Sequence, residues 1–346
     1  MSQSTAAGKC ARIAGSVVEV TTGESRRGEN RHGPWLESGS IGWSRAGAAT
    51  AVRPMTDGGS LLEFEDVPTL RDPMLIAAFE GWNDAGEAAS SAVEHLAAVW
   101  DAEAIAALDP EDYYDFQVNR PKVMRDDGQR RIVWPTTRIL VARDTGFGSR
   151  DVVLVEGIEP STRWRAFTIE LLEYAERLGV STFVTLGALL ADVPHTRPIP
   201  VTATSDDEDV LHRLDLESSA YEGPTGIVGV ISDAAHRAGL PSLSCWAAVP
   251  HYAGSSPSPK ATLGLLGKLE SLFNVTIPLG DLPESARAWE RGVNELAESD
   301  DEVAEYVQSL EESTDTADLP EASGDAIARE FERYLRRRGD EGIPPA

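Results

Sequence analysis

The sequence predicts an α/β fold: a three-layer sandwich around a mainly parallel, mixed sheet, followed by an acidic helical C-terminal region. Three observations carry this reading. Short apolar runs such as "PMLIAAF" and "DVVLVEG" are continuous rather than alternating, the mark of strands covered on both faces. Between such runs lie segments of roughly 10 to 18 residues with helical spacing, which implies parallel strands joined by crossover helices. From Asp281 onward, 19 Asp/Glu stand against seven Lys/Arg in helical runs separated by acidic breaks.

Taken in order, residues 1–54 differ from the rest: seven Lys/Arg against four Glu give +3, with many Gly, Ser and Ala and no sustained period. This segment reads as a disordered N-terminal extension, and Met55 offers an alternative start to Met1. Residues 61–280 read as the α/β core and 281–346 as the acidic helical region. In the core, "PMLIAAF" is the first strand, and "DAGEAASSAVEHLAAVW" is a helix with Asp84 placed as N-cap. "EAIAALD" is the next strand. "RIVWPTTRILVAR" reads as paired strands interrupted by a proline, hence near an edge. "DVVLVEG" leads through "IEPSTRW" into the helix "RAFTIELLEYAERLG", closed by Gly179. The strand "STFVTLGALL" follows, then a polar excursion from Ser205 to Glu222. "TGIVGVI" reads as a strand before the short helix "SDAAHRAG", and "SLSCWAAVP" as the last strand. "PKATLGLLGKLESLF" is an amphipathic helix. "SDDEVAEYVQSLEE" and "DAIAREFERYLRRR" each offer one apolar face, for the sheet domain or another subunit, across a mobile linker "STDTADLPEASG".

Composition excludes several partners. The net charge of −26 opposes non-specific attraction to nucleic acid or anionic lipid. The longest apolar runs fall far short of the roughly 20 residues that span a bilayer. Cys10 and Cys245, the only cysteines, support neither a disulfide framework nor a zinc cluster, so a reducing cytoplasm is the expected location and Cys245 an ordinary buried thiol.

Strand ends supply the candidate site, because open parallel sheets collect ligands at their carboxyl edge. "LIAAF" delivers Glu80, Trp82, Asn83 and Asp84, and "VVLV" delivers Glu156 and Glu159. "FVTLGALL" delivers Asp192, His195, Thr196 and Arg197, and "CWAAV" delivers His251 and Tyr252, with Lys260 opening the next helix. In an enzyme, His195 or His251 would be the general acid or base beside Glu80 and Glu156. Arg197, Lys260 and the helix start after Asn83 would hold an anion. In a structural rim, Asn83 and Asp84 merely start a helix, Pro194 and Pro198 stiffen a turn, and Arg197 bridges Glu80 or Glu156. The sequence has no G-x-S-x-G elbow, phosphate loop, dinucleotide fingerprint or H-E-x-x-H pair, and no short ligand spacing supports a metal. No cofactor is expected.

Four motifs, "FEGWNDAGEAAS", "GIEPSTRW", "GALLADVPHTRP" and "VPHYAGSSPSPKATLGLLGKLESLFNVTIP", stand in an order that resembles the proteasome assembly chaperone 2 family in its actinobacterial form. The similarity runs from about Leu61 to about Asp281. Matching positions are Glu80, Gly81, Trp82, Asn83, Asp84 and Gly86; Glu156, Pro160 and Trp164; Gly187 and Pro194 to Pro198; and Pro250, His251, Tyr252, Pro259 and Lys260. The resemblance implies a nucleoside-phosphorylase-like fold and homo-oligomers, expected as trimers. Family members in eukaryotes and archaea help proteasome α-subunits assemble, so the expected function is a non-enzymatic binding or assembly factor with proteasome subunits as partners. Its binding residues would be Trp82, Asn83, Asp84, Thr196, Arg197, Tyr252 and Lys260. A small-molecule enzyme, hydrolase, ligase or phosphorylase-like, is the alternative. Docking relatives use a C-terminal hydrophobic-tyrosine-any tripeptide; this sequence ends "GIPPA" with Tyr334 internal, so that route is not expected here.

Overall fold

In the computed structural model the described residues are 67–318, apart from 127, 255 and 256, and the strands β1 (Val17–Val20), β2 (Ile41–Arg45), β3 (Ala48–Thr50), β4 (Arg53–Pro54) and β5 (Leu61–Glu63). The first four fall within the expected extension, and the helix expected over "DAIAREFERYLRRR" lies outside the described residues. The chain continues with β6 (Met74–Glu80), α1 (Ala88–Val99), β7 (Glu103–Leu108), α2 (Pro110–Tyr113), β8 (Lys122–Asp126), β9 (Gln129–Val133), β10 (Arg138–Ala142), β11 (Val152–Ile158), α3 (Trp164–Arg177), β12 (Thr182–Ala191) and β13 (Val201–Thr204). Then come α4 (Glu208–Leu214), α5 (Ile227–Arg237), β14 (Ser242–Pro250), α6 (Pro259–Phe273), α7 (Leu282–Glu298) and α8 (Asp301–Asp318).

A strand covered on both faces sends alternate side chains into two cores. Along β6, Met74, Ile76 and Ala78 join one core with Ala92, Val93 and Leu96 of α1 and Leu265 and Leu269 of α6. Leu75, Ala77 and Phe79 join the other, with Phe167 and Leu171 of α3 and Ile227 and Ile231 of α5. The result is helix, sheet, helix, as expected. Phe79, Phe167 and Phe183 are each essentially buried. At roughly 1.5–3 kcal/mol per such side chain, the cores outweigh exposed ion pairs such as Arg237 with Asp233, worth about 0–1 kcal/mol each.

The main sheet has nine strands in the order β13-β14-β12-β6-β11-β10-β7-β5-β4. Its centre, β14-β12-β6-β11, is parallel; the strands on both sides pair antiparallel. The four central strands therefore end at one rim.

Four local readings need correction. The two halves of "RIVWPTTRILVAR" do not pair with each other. β9 pairs with β8 in a separate two-stranded sheet, while β10 lies inside the main sheet between β11 and β7. Pro135 sits in the connection, so its missing N–H interrupts no ladder. "TGIVGVI" is not a strand: α5 begins at Ile227, and Ile227, Val228, Ile231 and Ala235 bury one helical face. The polar excursion contains α4, whose N-cap Asp207 accepts from Val210 N–H at 2.9 Å, and β13 just before it forms the sheet edge. Finally, α8 runs to Asp318, through the first half of the expected linker.

Candidate functional site

The loop "EGWND" after β6 is tied to its neighbours through the backbone. Glu159 N–H donates to Glu80 C=O at 2.8 Å, and Ala188 N–H donates to Asn83 C=O at 2.8 Å. Gly81 takes φ +126°, where a side chain would be strained and would also press on Glu159. Asp84 was expected as the helix N-cap, but Gly86 and Glu87 adopt positive φ, and Glu87 takes the cap position of α1. Asp84 satisfies the helix from outside. Its Oδ1 accepts from Ala89 N–H at 2.7 Å and Ser90 N–H at 3.1 Å, and its Oδ2 from the Ser90 hydroxyl at 2.5 Å. Asn83, also buried, donates to Glu159 Oε1 at 2.9 Å; the same oxygen accepts from Ile227 N–H at 2.8 Å and so caps α5. Trp82, just before Asn83, is 64% exposed.

Glu80 and Glu156 belong to a second, acidic group. Glu156 lies opposite Arg138 in the β10–β11 ladder and is ion-paired to it. Desolvation, then the charges of Asp84, Glu87 and Glu156, push the Glu80 carboxyl up, against the pull of Lys122. Glu94 is exposed over part of its surface, yet desolvation first, and Glu156 and Glu80 next, push it up to about 7. Burial likewise raises Asp84, outweighing its bonds from Ser90 and Ala89.

The third group is built on the loop after β12. His195 is 1% exposed. Its backbone N–H donates to Tyr252 Oη at 2.8 Å, which leaves the phenol proton for His195 Nδ1, also at 2.8 Å. Nε2 then carries the imidazole proton and donates to Asn294 Oδ1 of α7 at 3.0 Å. Every polar atom of the ring is satisfied by the neutral tautomer. Burial, aided by the Lys260 charge, holds the imidazole below its ordinary pKa, against the Asn294 bond and the Glu290 and Glu311 charges. Lys260 Nζ donates to His195 C=O and to Glu290 Oε2 of α7, each at 2.5 Å. Thr196 and Arg197 both donate to Glu311 of α8, Arg197 at 3.3 Å. Arg197 therefore pairs with Glu311, not with Glu80 or Glu156 as expected. Asp192 accepts from Tyr306 Oη at 2.9 Å and lies 3.2 Å from His251 Nδ1, while the His251 and Tyr306 rings meet edge to face at 5.3 Å.

The rim thus brings His195, Thr196, Arg197, Tyr252 and Lys260 together beneath α7 and α8, with His251 at the margin. It places Glu80 and Glu156 in a separate group with Arg138 and Glu94, and Asn83 and Asp84 in helix caps. The sequence reading missed Glu290, Asn294, Tyr306 and Glu311. Their helices were recognised, but on an acidic amphipathic helix a bonded polar position carries no mark that separates it from a solvated one. Among the described residues no group of three or more His, Cys, Asp or Glu could hold a metal, and no helix is long and apolar enough to cross a membrane.

Residues 78–297 match the model of the PAC2 family. A PAC2 family protein from Streptomyces avermitilis is 61% identical over 68% of this chain and 100% of its own, with a TM-score of 0.65. The Mycobacterium tuberculosis proteasome-assembly chaperone homologue Rv2125 is 51% identical over 68% of this chain and 99% of its own, with a TM-score of 0.61. Pyrococcus furiosus PbaB, an archaeal proteasome activator, is 18% identical over 68% of this chain and 97% of its own; at a TM-score of 0.55 it shares the fold. No curated protein matches the chain. Both the ordered motifs along the rim and the match over most of the described core lead to one assignment: the chain belongs to the PAC2 family.

Proposed function

We propose that this protein is a proteasome-assembly-chaperone-like factor of the cytoplasm, a non-enzymatic binding protein that works as a homo-oligomer, a trimer by family resemblance, with proteasome subunits as partners. Family membership and the likeness to a proteasome-assembly chaperone homologue support the class of function. The observation that carries the non-enzymatic reading is the closure of His195. Its nitrogens are committed to Tyr252 and Asn294, its ring is enclosed, and its basicity is depressed, so it offers no lone pair to a ligand. Lys260 and Arg197, the candidate anion holders, are occupied by Glu290 and Glu311 of the same chain.

On this reading the loop "ADVPHTRP" is a clamp that fixes α7 and α8 over the sheet, and the surface those helices present belongs to the binding function. Affinity purification from the native host, followed by mass spectrometry, tests it. Recovery of proteasome α-subunits at a fixed ratio to this chain is the expected result. A bound metabolite recovered with no protein partner would overturn it in favour of a small-molecule enzyme.

A further inference from the structure

The hairpin β8–β9 stands apart from the main sheet as its own two-stranded unit. β1 lies alongside β9, and the hairpin still leaves apolar side chains open to solvent. In its antiparallel register Val123 faces Ile132 and Arg125 faces Arg130. Side chains two apart share a face, which makes Val123, Arg125, Arg130 and Ile132 one continuous surface. Val123 is 55% and Ile132 41% exposed, and both arginines are exposed. Among the described residues, four of the ten exposed large hydrophobics, Val118, Val123, Met124 and Ile132, fall in this short stretch, Val123 and Ile132 on this face, so the exposure is concentrated rather than scattered.

The charge of the stretch is also out of character. From Arg120 to Arg131 five Lys/Arg stand against two Asp, in a chain of net −26. Two copies of so acidic a chain repel, and an interface between them is favoured where one presents positive charge to the other's negative surface. Arginines placed directly across a ladder are mutually unfavourable until carboxylates neutralise them. Each copy carries such carboxylates in abundance: residues 281–318 hold 13 Asp/Glu against two Arg.

We propose that the Val123, Arg125, Arg130, Ile132 face of the β8–β9 hairpin docks onto the acidic surface of a second copy of this chain. The inference rests on the self-association named above and specifies the surface that makes it. Methyl groups of Val123 and Ile132 supply the apolar centre, and the guanidinium groups select an acidic face.

Sedimentation of the full chain and of two double variants, V123T/I132T and R125E/R130E, tests this, with thermal melts to verify folding. I169T, at an exposed residue of α3, serves as the control. The wild type and I169T are expected at a multiple of 37.2 kDa. Both hairpin variants are expected to dissociate at concentrations about tenfold higher or more. Amide exchange of wild-type residues 122–133 should also slow as protein concentration rises, a readout that needs no variant. A wild type of 37.2 kDa at every concentration overturns the self-association reading and this inference together. An oligomeric wild type, with folded variants of unchanged mass or hairpin exchange indifferent to concentration, overturns the hairpin assignment alone.

Discussion

At the level of single residues, the imidazole of His195 is the informative group, because its surroundings choose one protonation state. Its folded pKa lies below the ordinary 6.5, so the charged form is the one the fold rejects. Above about pH 6.5 the ring is neutral folded or unfolded and contributes no pH dependence; as pH falls below that value the unfolded chain takes up a proton first and stability is lost. Denaturant titrations at about pH 7.5 and 5.5 should show this as a difference, with acidification lowering the stability of the wild type relative to that of His195→Gln. Comparison with the variant matters because Glu80, Asp84 and Glu94, all raised, change stability in the opposite sense, losing it as pH rises above the carboxylate range. An equal change in both proteins would mean that the ring is free to protonate. Tyr252→Phe should destabilise by about 1–3 kcal/mol, since it leaves the His195 N–H and Nδ1 without their shared partner. That His195 and Tyr252 sit at the rim was legible from strand polarity. That they bond each other was not, since the two residues are 57 apart in sequence and no spacing rule joins them.

Among elements, the strands were the most legible. A run such as "PMLIAAF" can satisfy two apolar neighbours only as a doubly covered strand, and β6, β11, β12 and β14 lie where the apolar runs end in polar tips. "TGIVGVI" was the instructive failure. Its apolar residues suit a strand or a buried helix equally, and the decision is made by Glu159, 68 residues away, whose carboxylate receives Ile227 N–H and starts α5. The start of α5 also depends on Gly226. A Cβ there would come within 2.1 Å of Asn83 Nδ2, an amide that is buried and held by Glu159. Gly226→Ala should therefore displace Asn83 from Glu159 and cost about 1–3 kcal/mol, with faster amide exchange at the first turn of α5. Wild-type exchange there would show that the contact relaxes freely. Likewise, Glu290→Ala removes the carboxylate from Lys260, which is mostly buried, and should cost about 1–3 kcal/mol with faster exchange confined to α7 and residues 192–198. Uniformly faster exchange would instead mark a global effect and deny α7 its role as a clamp.

For the whole molecule, two electrostatic terms compete, and their balance gives a further expectation. Ion pairs such as Lys260 with Glu290 and Arg71 with Asp151 favour the fold and weaken when salt screens them. Opposing them is the self-repulsion of a chain with 57 Asp/Glu and 31 Lys/Arg, which folding concentrates into a smaller volume. Half-exposed pairs contribute about 0–1 kcal/mol each, whereas every one of the surplus carboxylates feels many others within the Debye length of dilute salt, about 30 Å at 0.01 M. Repulsion should win. Raising the salt from about 10 to about 300 mM cuts that length to below about 10 Å and relieves the repulsion first, because the pairs lie at contact distance and are screened least. The melting temperature should therefore rise over this range, and rise less at about pH 5, where Glu94 has taken up a proton and fewer charges remain to be screened. A melting temperature that falls with salt would show instead that contact pairs at the rim, rather than the apolar cores packed under a net negative shell, dominate the electrostatics of the fold.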